Sequence, residues 1–235
     1  MANKTLDLRR DLESLYYLDE RYFDSGANEL KDRSGKRNHV TANGGPTVGV
    51  AGPRAFDATD FDGTDDYFVD GDASAGMTFD QPWTVAVIVQ PVNQDPDNDR
   101  NPHVVNMASG YHEITYRQAF DRLELRVDMQ DGSTNWGTAP LNLYKGDNEW
   151  YFTVWRHHGN GLFTSIMDGG EERGHNDYDS NLTAGGDELF IGRSGGNSEY
   201  ITATIPFVGL WSRDLTDAEA LWLTTRFSGP RRGIA

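Results

Sequence analysis

Cysteine is missing from this 235-residue chain, and lysine nearly so, with four residues. Without a thiol, disulfide bridges and cysteine-based nucleophiles or metal ligands are excluded. No stretch approaches the roughly 18 consecutive apolar residues that a membrane-spanning helix needs. The opening segment, Met1-Ala2-Asn3-Lys4-Thr5-Leu6-Asp7, lacks the apolar core of a secretory leader, which predicts folding in the cytoplasm. Positive charge is scarce as a whole. The net charge is −16, and nothing in such a chain neutralises phosphates over a broad patch. Nucleic acid and membrane insertion are therefore not expected.

The negative charge comes mainly from aspartate, 26 residues against 11 glutamates, and arginine outnumbers lysine 17 to 4. Short carboxylates hold water and cations well, and their self-repulsion is screened at high salt, where the Debye length is about 3 Å at 1 M. This composition predicts a halophilic origin; the alternative is an acidic mesophilic protein with an arginine bias. With 37% hydrophobic residues and 26 glycines, the chain can bury a core and turn often. Its length suits one all-β domain.

The strongest strand signal is Trp83-Thr84-Val85-Ala86-Val87-Ile88-Val89-Gln90-Pro91. Trp83, Val85, Val87 and Val89 point one way and Thr84, Ala86, Ile88 and Gln90 the other, so the run reads as covered on both faces. Leu15–Leu18, Tyr67–Val69, His103–Ala108, Glu113–Phe120, Glu149–His157, Gly161–Met167, Glu188–Gly192 and Ile201–Trp211 are further predicted strands. Leu123, Leu125, Val127 and Met129 alternate with Arg122, Glu124, Arg126 and Asp128, which predicts a strand buried on one face only. His158-Gly159-Asn160-Gly161 signals a hairpin. One helix is expected, begun by the capping box Thr216-Asp217-Ala218-Glu219 and stopped at Ser228-Gly229-Pro230. The reading is an N-terminal arm over 1–13, a sandwich over 14–228 and a tail over 229–235.

Four segments carry a family likeness: Asp32-Arg33-Ser34-Gly35 followed by Asn38-His39; Phe61-Asp62-Gly63-Thr64-Asp65-Asp66-Tyr67; Trp150-Tyr151-Phe152 through Asp168-Gly169; and Leu189-Phe190-Ile191-Gly192 with Phe207 to Glu219. In this order and spacing the chain resembles the laminin G-like branch of the concanavalin A-like lectin/glucanase superfamily. The resemblance implies an all-β, two-sheet antiparallel β-sandwich of jelly-roll type with one short C-terminal helix. It does not fix function, since that superfamily includes lectins, adhesion modules, hydrolases and structural virion pieces.

Glycoside hydrolysis needs two carboxylates flanking one bond. The E-x-D-x-x-E strand of the glucanase branch is absent, and the i, i+2 acid pairs sit in turn-like segments. Gly192-Arg193-Ser194-Gly195-Gly196 has the G-x-S-x-G spacing, but no helix signal follows it. No enzyme is expected. Calcium is the cofactor the resemblance implies. Asp95, Asp97 and Asp99 have a spacing that converges oxygens on a hard cation, with Asp62, Asp65 and Asp66 as the alternative cluster. The competing reading of both clusters is salt-solvating surface.

Sugar binding wants aromatic faces beside polar groups. Tyr151, Trp155 and His157 alternate with Trp150, Phe152 and Val154, so one of the two sets is expected outside the core. Tyr111, His112, Tyr116, Trp136, Trp155 and His157 are the candidate ligand-binding residues. The competing reading has these rings filling the sandwich.

Two functions remain. One is a recognition module for a glycan or glycoprotein surface; the other is a structural virion component contacting other subunits or its own copies. The likeness to adhesion modules, the missing leader, the lack of cysteine and the salt-adapted composition favour a surface protein of a halophilic archaeal virus, as a capsid decoration, turret or tail fibre. A cellular carbohydrate-binding adhesion module is the alternative, and a glycoside hydrolase the remote one.

Overall fold

The computed structural model describes residues 6–70, 77–92, 102–107, 112–117, 122–127, 143–144, 148–159, 162–168, 173–174, 188–194 and 199–228. In chain order its strands are β1 (Leu12–Tyr17), β2 (Phe23–Asp24), β3 (Glu29–Leu30), β4 (Val40–Asn43), β5 (Thr47–Ala51), β6 (Asp57–Asp62), β7 (Tyr67–Asp70), β8 (Trp83–Pro91) and β9 (His103–Met107). There follow β10 (His112–Arg117), β11 (Arg122–Val127), β12 (Leu143–Tyr144), β13 (Tyr151–His157), β14 (Phe163–Met167), β15 (Arg173–Gly174), β16 (Leu189–Ile191) and β17 (Thr202–Trp211). Among the described residues one α-helix, α1 (Asp217–Ser228), closes the fold.

The strands form two antiparallel sheets. The first runs β15-β14-β13-β8-β17-β6-β5, with β1 also paired to β17; the second runs β12-β11-β10-β9-β16-β7-β4-β3-β2. The predicted sandwich with a single helix is therefore what the chain forms. The β8 register explains why its run is apolar on both sides. Trp83, Val85, Val87 and Val89 enter the core between the sheets, while Ala86 and Ile88 enter a second core under α1. The first strand begins at Leu12, three residues before the predicted one.

Strand β13 divides in the same way. Tyr151 and Trp155 lie between the sheets, and Phe152 and Val154 lie beneath the helix with Trp150 packed beside them. The expectation that one set stands outside the core is corrected here: a second layer covers the outer face. On β11, Leu123 and Leu125 join the core as predicted, but Glu124 is buried too. The alternation was right and the solvated outer face was not.

Helix α1 starts with its predicted capping box. The Thr216 amide and hydroxyl both donate to Glu219 Oε2 at 2.9 Å, and the Glu219 amide donates back to Thr216 Oγ1 at 3.4 Å. Glu219 also receives two 2.9 Å hydrogen bonds from the Arg213 guanidinium. Arg213 in turn donates to the carbonyls of Asp7 and Arg10, and the Trp211 indole donates to the Leu8 carbonyl at 2.8 Å. These bonds tie the N-terminal segment and the helix to the end of β17.

Candidate functional site

A groove of about 580 Å³ opens on the outer face of the first sheet, between β1, β17, α1, the N-terminal segment and the turn after Asp32. That volume is of the size that holds a small ligand. Leu12, Leu15, Phe56, Phe207, Trp211 and Leu223 supply apolar surface. Tyr17 packs against Tyr22 and against Phe207, each at 5.6 Å between ring centroids. Trp222 stands at the rim, 40% exposed.

Among the described residues three arginines and no carboxylate line this groove: Arg9, Arg33 and Arg226. The Arg33 guanidinium lies 5.0 Å from the Tyr22 ring centroid, and that of Arg226 lies 5.7 Å from the Trp222 ring. None of the three makes an ion pair or a side-chain hydrogen bond among the described residues. By contrast Arg10, Arg21, Arg156 and Arg213 all pair with acids. Burial pushes the Tyr17 hydroxyl pKa up, as does Tyr22, while Arg33 and Arg226 pull it down.

The turn that presents Arg33 is locally determined. Asp32, itself buried, accepts from the Leu15 and Ser34 amides at 3.0 and 2.8 Å through Oδ1. Its Oδ2 accepts from the Ser34 hydroxyl at 2.6 Å and the Asn38 amide at 3.2 Å. One carboxylate thus pins the Asp32-Arg33-Ser34-Gly35 turn to β1, leaving Arg33 exposed. The motif was visible in the sequence; that it serves as the wall of a groove was not. Trp222 left a weaker signal, a large ring beside Leu221 where the apolar stripe of α1 already has Leu223.

The predicted ligand-binding residues divide between two outcomes. Tyr111 and Trp136 lie outside the described residues. His112, Tyr116, Trp155 and His157 are all buried, so none offers a ring face to a sugar, and this expectation is corrected. His112 packs 4.6 Å from Phe79, and His157 stacks 4.8 Å from Phe163 beside Trp83. The His157 Nδ1 donates to the Gln81 carbonyl at 3.0 Å, and burial holds its pKa below the ordinary histidine value.

Of the metal candidates, Asp95, Asp97 and Asp99 lie outside the described residues. Asp62, Asp65 and Asp66 do converge, each offering a carboxylate oxygen within 4.8 Å of the others. The turn is pressed against the β4–β5 loop: a Cβ on Gly44, whose φ is +80°, would stand 2.2 Å from the Asp65 carbonyl oxygen. Asp66 Oδ2 accepts from the Asp62 amide at 3.0 Å, and Asp62 Oδ1 from the Thr64 amide at 2.7 Å. Burial, then repulsion from Asp62, Asp65 and Asp60, raises the Asp66 pKa against that amide bond. The donors are all oxygen, which fits a hard cation.

A third polar group, buried, lies along the second sheet at β9 and β10. His103 is 3.3 Å from Glu113 through Nδ1 and 3.3 Å from Glu199 through Nε2, and Asn106 donates to Glu113 at 2.9 Å. Sequence reasoning missed this row, whose members come from three separate segments. The Gly192-Arg193-Ser194 segment is no nucleophile elbow. Arg193 bridges Tyr200 and stacks within 4.8–5.6 Å of Tyr67, Phe190 and Tyr200.

A family model described as the concanavalin A-like lectin/glucanases superfamily matches residues 62–220, more than half of the chain. No curated protein sequence matches it as a relative. Among solved structures, the receptor binding domain of botulinum neurotoxin C/D mosaic serotype superposes with a TM-score of 0.62 at 11% identity, covering 92% of this chain and 51% of that one. The binding domain of Paraclostridial Mosquitocidal Protein 1 gives 0.66 at 13% identity, covering 94% and 53%. The chain therefore spans about half the length of the structures it matches. At these identities the likeness is one of fold.

Proposed function

The chain belongs to the concanavalin A-like lectin/glucanases superfamily, and from that premise we propose that it is a non-catalytic recognition module binding glycan through the groove between β1, β17 and α1. The observation that carries this reading is the groove itself: an aromatic floor and rim with hydrogen-bond donors at its edge, in a size range that fits a small saccharide. The structural neighbours are named as receptor binding and binding domains, which agrees with it. The finer reading is a virion surface protein of a halophilic archaeal virus, as capsid decoration, turret or tail fibre, that touches glycans or glycoproteins of the host envelope. The aspartate-rich, lysine-poor composition supports the saline setting.

Calcium, in this reading, belongs to the Asp62–Asp65–Asp66 turn, where it would brace the β6–β7 connection and relieve the repulsion on Asp66. Chelation then lowers the melting temperature of the wild type and leaves an Asp62→Asn/Asp65→Asn variant unchanged.

The test of the main reading is a glycan array probed at molar salt. Saturable binding that Trp222→Ala abolishes supports recognition at the groove. No saturable binding to any glycan, together with a stable oligomer by mass, instead supports a structural role among virion subunits or copies of the chain.

A further inference from the structure

Resting on the proposal that the groove binds glycan, we infer that its ligand is an acidic saccharide, with a carboxylate- or sulfate-bearing ring held against Tyr22 and Trp222 and its anion between Arg33 and Arg226. In a chain of net charge −16, a surface concavity picked without regard to charge should carry carboxylates. Among the described residues this one is lined by three arginines and no carboxylate.

Nor are those arginines spent elsewhere. Of the exposed arginines outside the groove, Arg10 and Arg21 pair with acids, and Arg37 does not among the described residues. All three groove arginines, Arg9, Arg33 and Arg226, are without an ion pair among the described residues, and two of them lie over aromatic rings. With no side-chain hydrogen bond among the described residues, these guanidiniums keep N–H groups for a ligand, and a guanidinium receives a carboxylate or sulfate with two parallel hydrogen bonds. Tyr17 lies where the influence of Arg33 and Arg226 overlaps. A neutral sugar would use the rings and leave the cations unused. The surrounding acidic surface also repels anions that do not fit, so selectivity comes from the groove alone.

The experiment is titration followed by tryptophan fluorescence at the lowest salt that keeps the protein folded, and again at 2 M KCl. The probes are an oligoglucuronate, a sulfated oligosaccharide of the same length, the matching neutral glucan and inorganic sulfate alone. The expected result is saturable binding of at least one acidic sugar, about tenfold tighter than the neutral glucan and weakened by salt. Arg33→Gln/Arg226→Gln should bring the acidic sugar down to the neutral level, and Trp222→Ala should abolish both. These side chains are exposed, and an unchanged melting temperature verifies the fold.

Neutral glucan bound as tightly as the acidic sugars overturns the inference and leaves glycan recognition standing. Acidic binding that survives Arg33→Gln/Arg226→Gln refutes it by placing the ligand elsewhere. Inorganic sulfate bound as tightly as the sulfated sugar refutes it as a saccharide site. Binding of neither sugar class defeats both this inference and the reading beneath it.

Discussion

Replacing Glu219 by glutamine tests the joint that holds the helix, the N-terminal segment and β17 together. Burial pushes this carboxyl up, but the Arg213 guanidinium and the Thr216 amide and hydroxyl more than offset it, holding the pKa at about 2 against an ordinary 4.5. The side chains of Glu219 and Arg213 are only 7% and 8% exposed, so solvent screening takes little from the pair. A depression of this size corresponds to about 3 kcal/mol of stability at neutral pH. The sign follows from the depressed value. The stabilisation is complete above about 4.5, where the unfolded chain's glutamate is also ionised, and is lost as the pH falls towards 2. Glutamine mimics the protonated acid, keeps the cap and turns a donor towards Arg213. Urea unfolding of wild type and Glu219→Gln should differ by about 3 kcal/mol at pH 7, a fall in Tm of about 6–12 °C at this chain length. The gap should be unchanged at pH 5 and clearly smaller at pH 3. Because the pair is buried, 0.5 M and 3 M KCl should give the same difference at pH 7. A gap below about 0.5 kcal/mol at pH 7, or one that does not narrow in acid, refutes this account of the joint.

Three further outcomes follow from named contacts. His157 has a pKa lowered by burial, so the unfolded chain binds the extra proton and stability falls as the pH drops below about 6.5. His157→Gln keeps a donor for Gln81, and its melting temperature should vary less between pH 7 and 5.5 than that of the wild type; equal slopes sink the assignment. Gly192 sits at φ +92°, and a Cβ there would lie 2.6 Å from the Phe61 ring. Gly192→Ala should therefore cost about 2 kcal/mol or more by urea unfolding, and a neutral effect would show that Phe61 can withdraw. A surface of net charge −16 should gain stability as salt screens it, so melting temperature should rise steadily from 0.2 to 3 M KCl. A flat or falling curve speaks against the halophilic reading.

What could be read from the chain was whatever a short window determines. The two-faced apolar run of β8 announced a strand covered on both sides, and the box from Thr216 to Glu219 announced the helix, because each signal lies within nine residues. Spacing of acids likewise brought Asp62, Asp65 and Asp66 together, since a tight turn leaves them no choice. The burial of His112, Tyr116, Trp155 and His157 was not legible in that way. Whether an alternating stripe faces water depends on what lands on it: Phe79 and Trp83 reach His112, and Trp83 and Phe163 reach His157, from other strands and loops. Glu124 shows the same lesson from the polar side. The groove was the least legible of all. Leu8, Tyr17, Arg33, Trp211 and Arg226 share no window, and their meeting depends on long-range bonds such as Trp211 to Leu8 and Arg213 to Asp7.

The existence of the groove follows from a mismatch of dimensions. Seven strands abreast, spaced about 4.8 Å apart, make the first sheet roughly 30 Å wide, with β1 sharing the β6 side of β17. A helix of 12 residues is about 18 Å long and, with side chains, some 10–12 Å across. One such helix cannot roof that sheet. It covers β13 and β14, where Phe152, Val154 and Ile166 meet Ala220 and Leu223, while the N-terminal segment covers the end of β17 at Trp211. Tyr17 and Phe207 fall between the two covers. A half-covered aromatic strip, with Phe207 buried, Tyr17 partly buried and Trp222 40% exposed at its rim, is an aggregation liability, more so where excluded salts strengthen apolar association. A polar side chain laid across the strip would relieve this, and in so acidic a chain aspartate is the commonest candidate. Arginines stand there instead, Arg33 over Tyr22 and Arg226 over Trp222, without an ion pair or side-chain hydrogen bond among the described residues. Solubility alone does not explain that choice of sign, whereas an anionic ligand with an apolar ring face does.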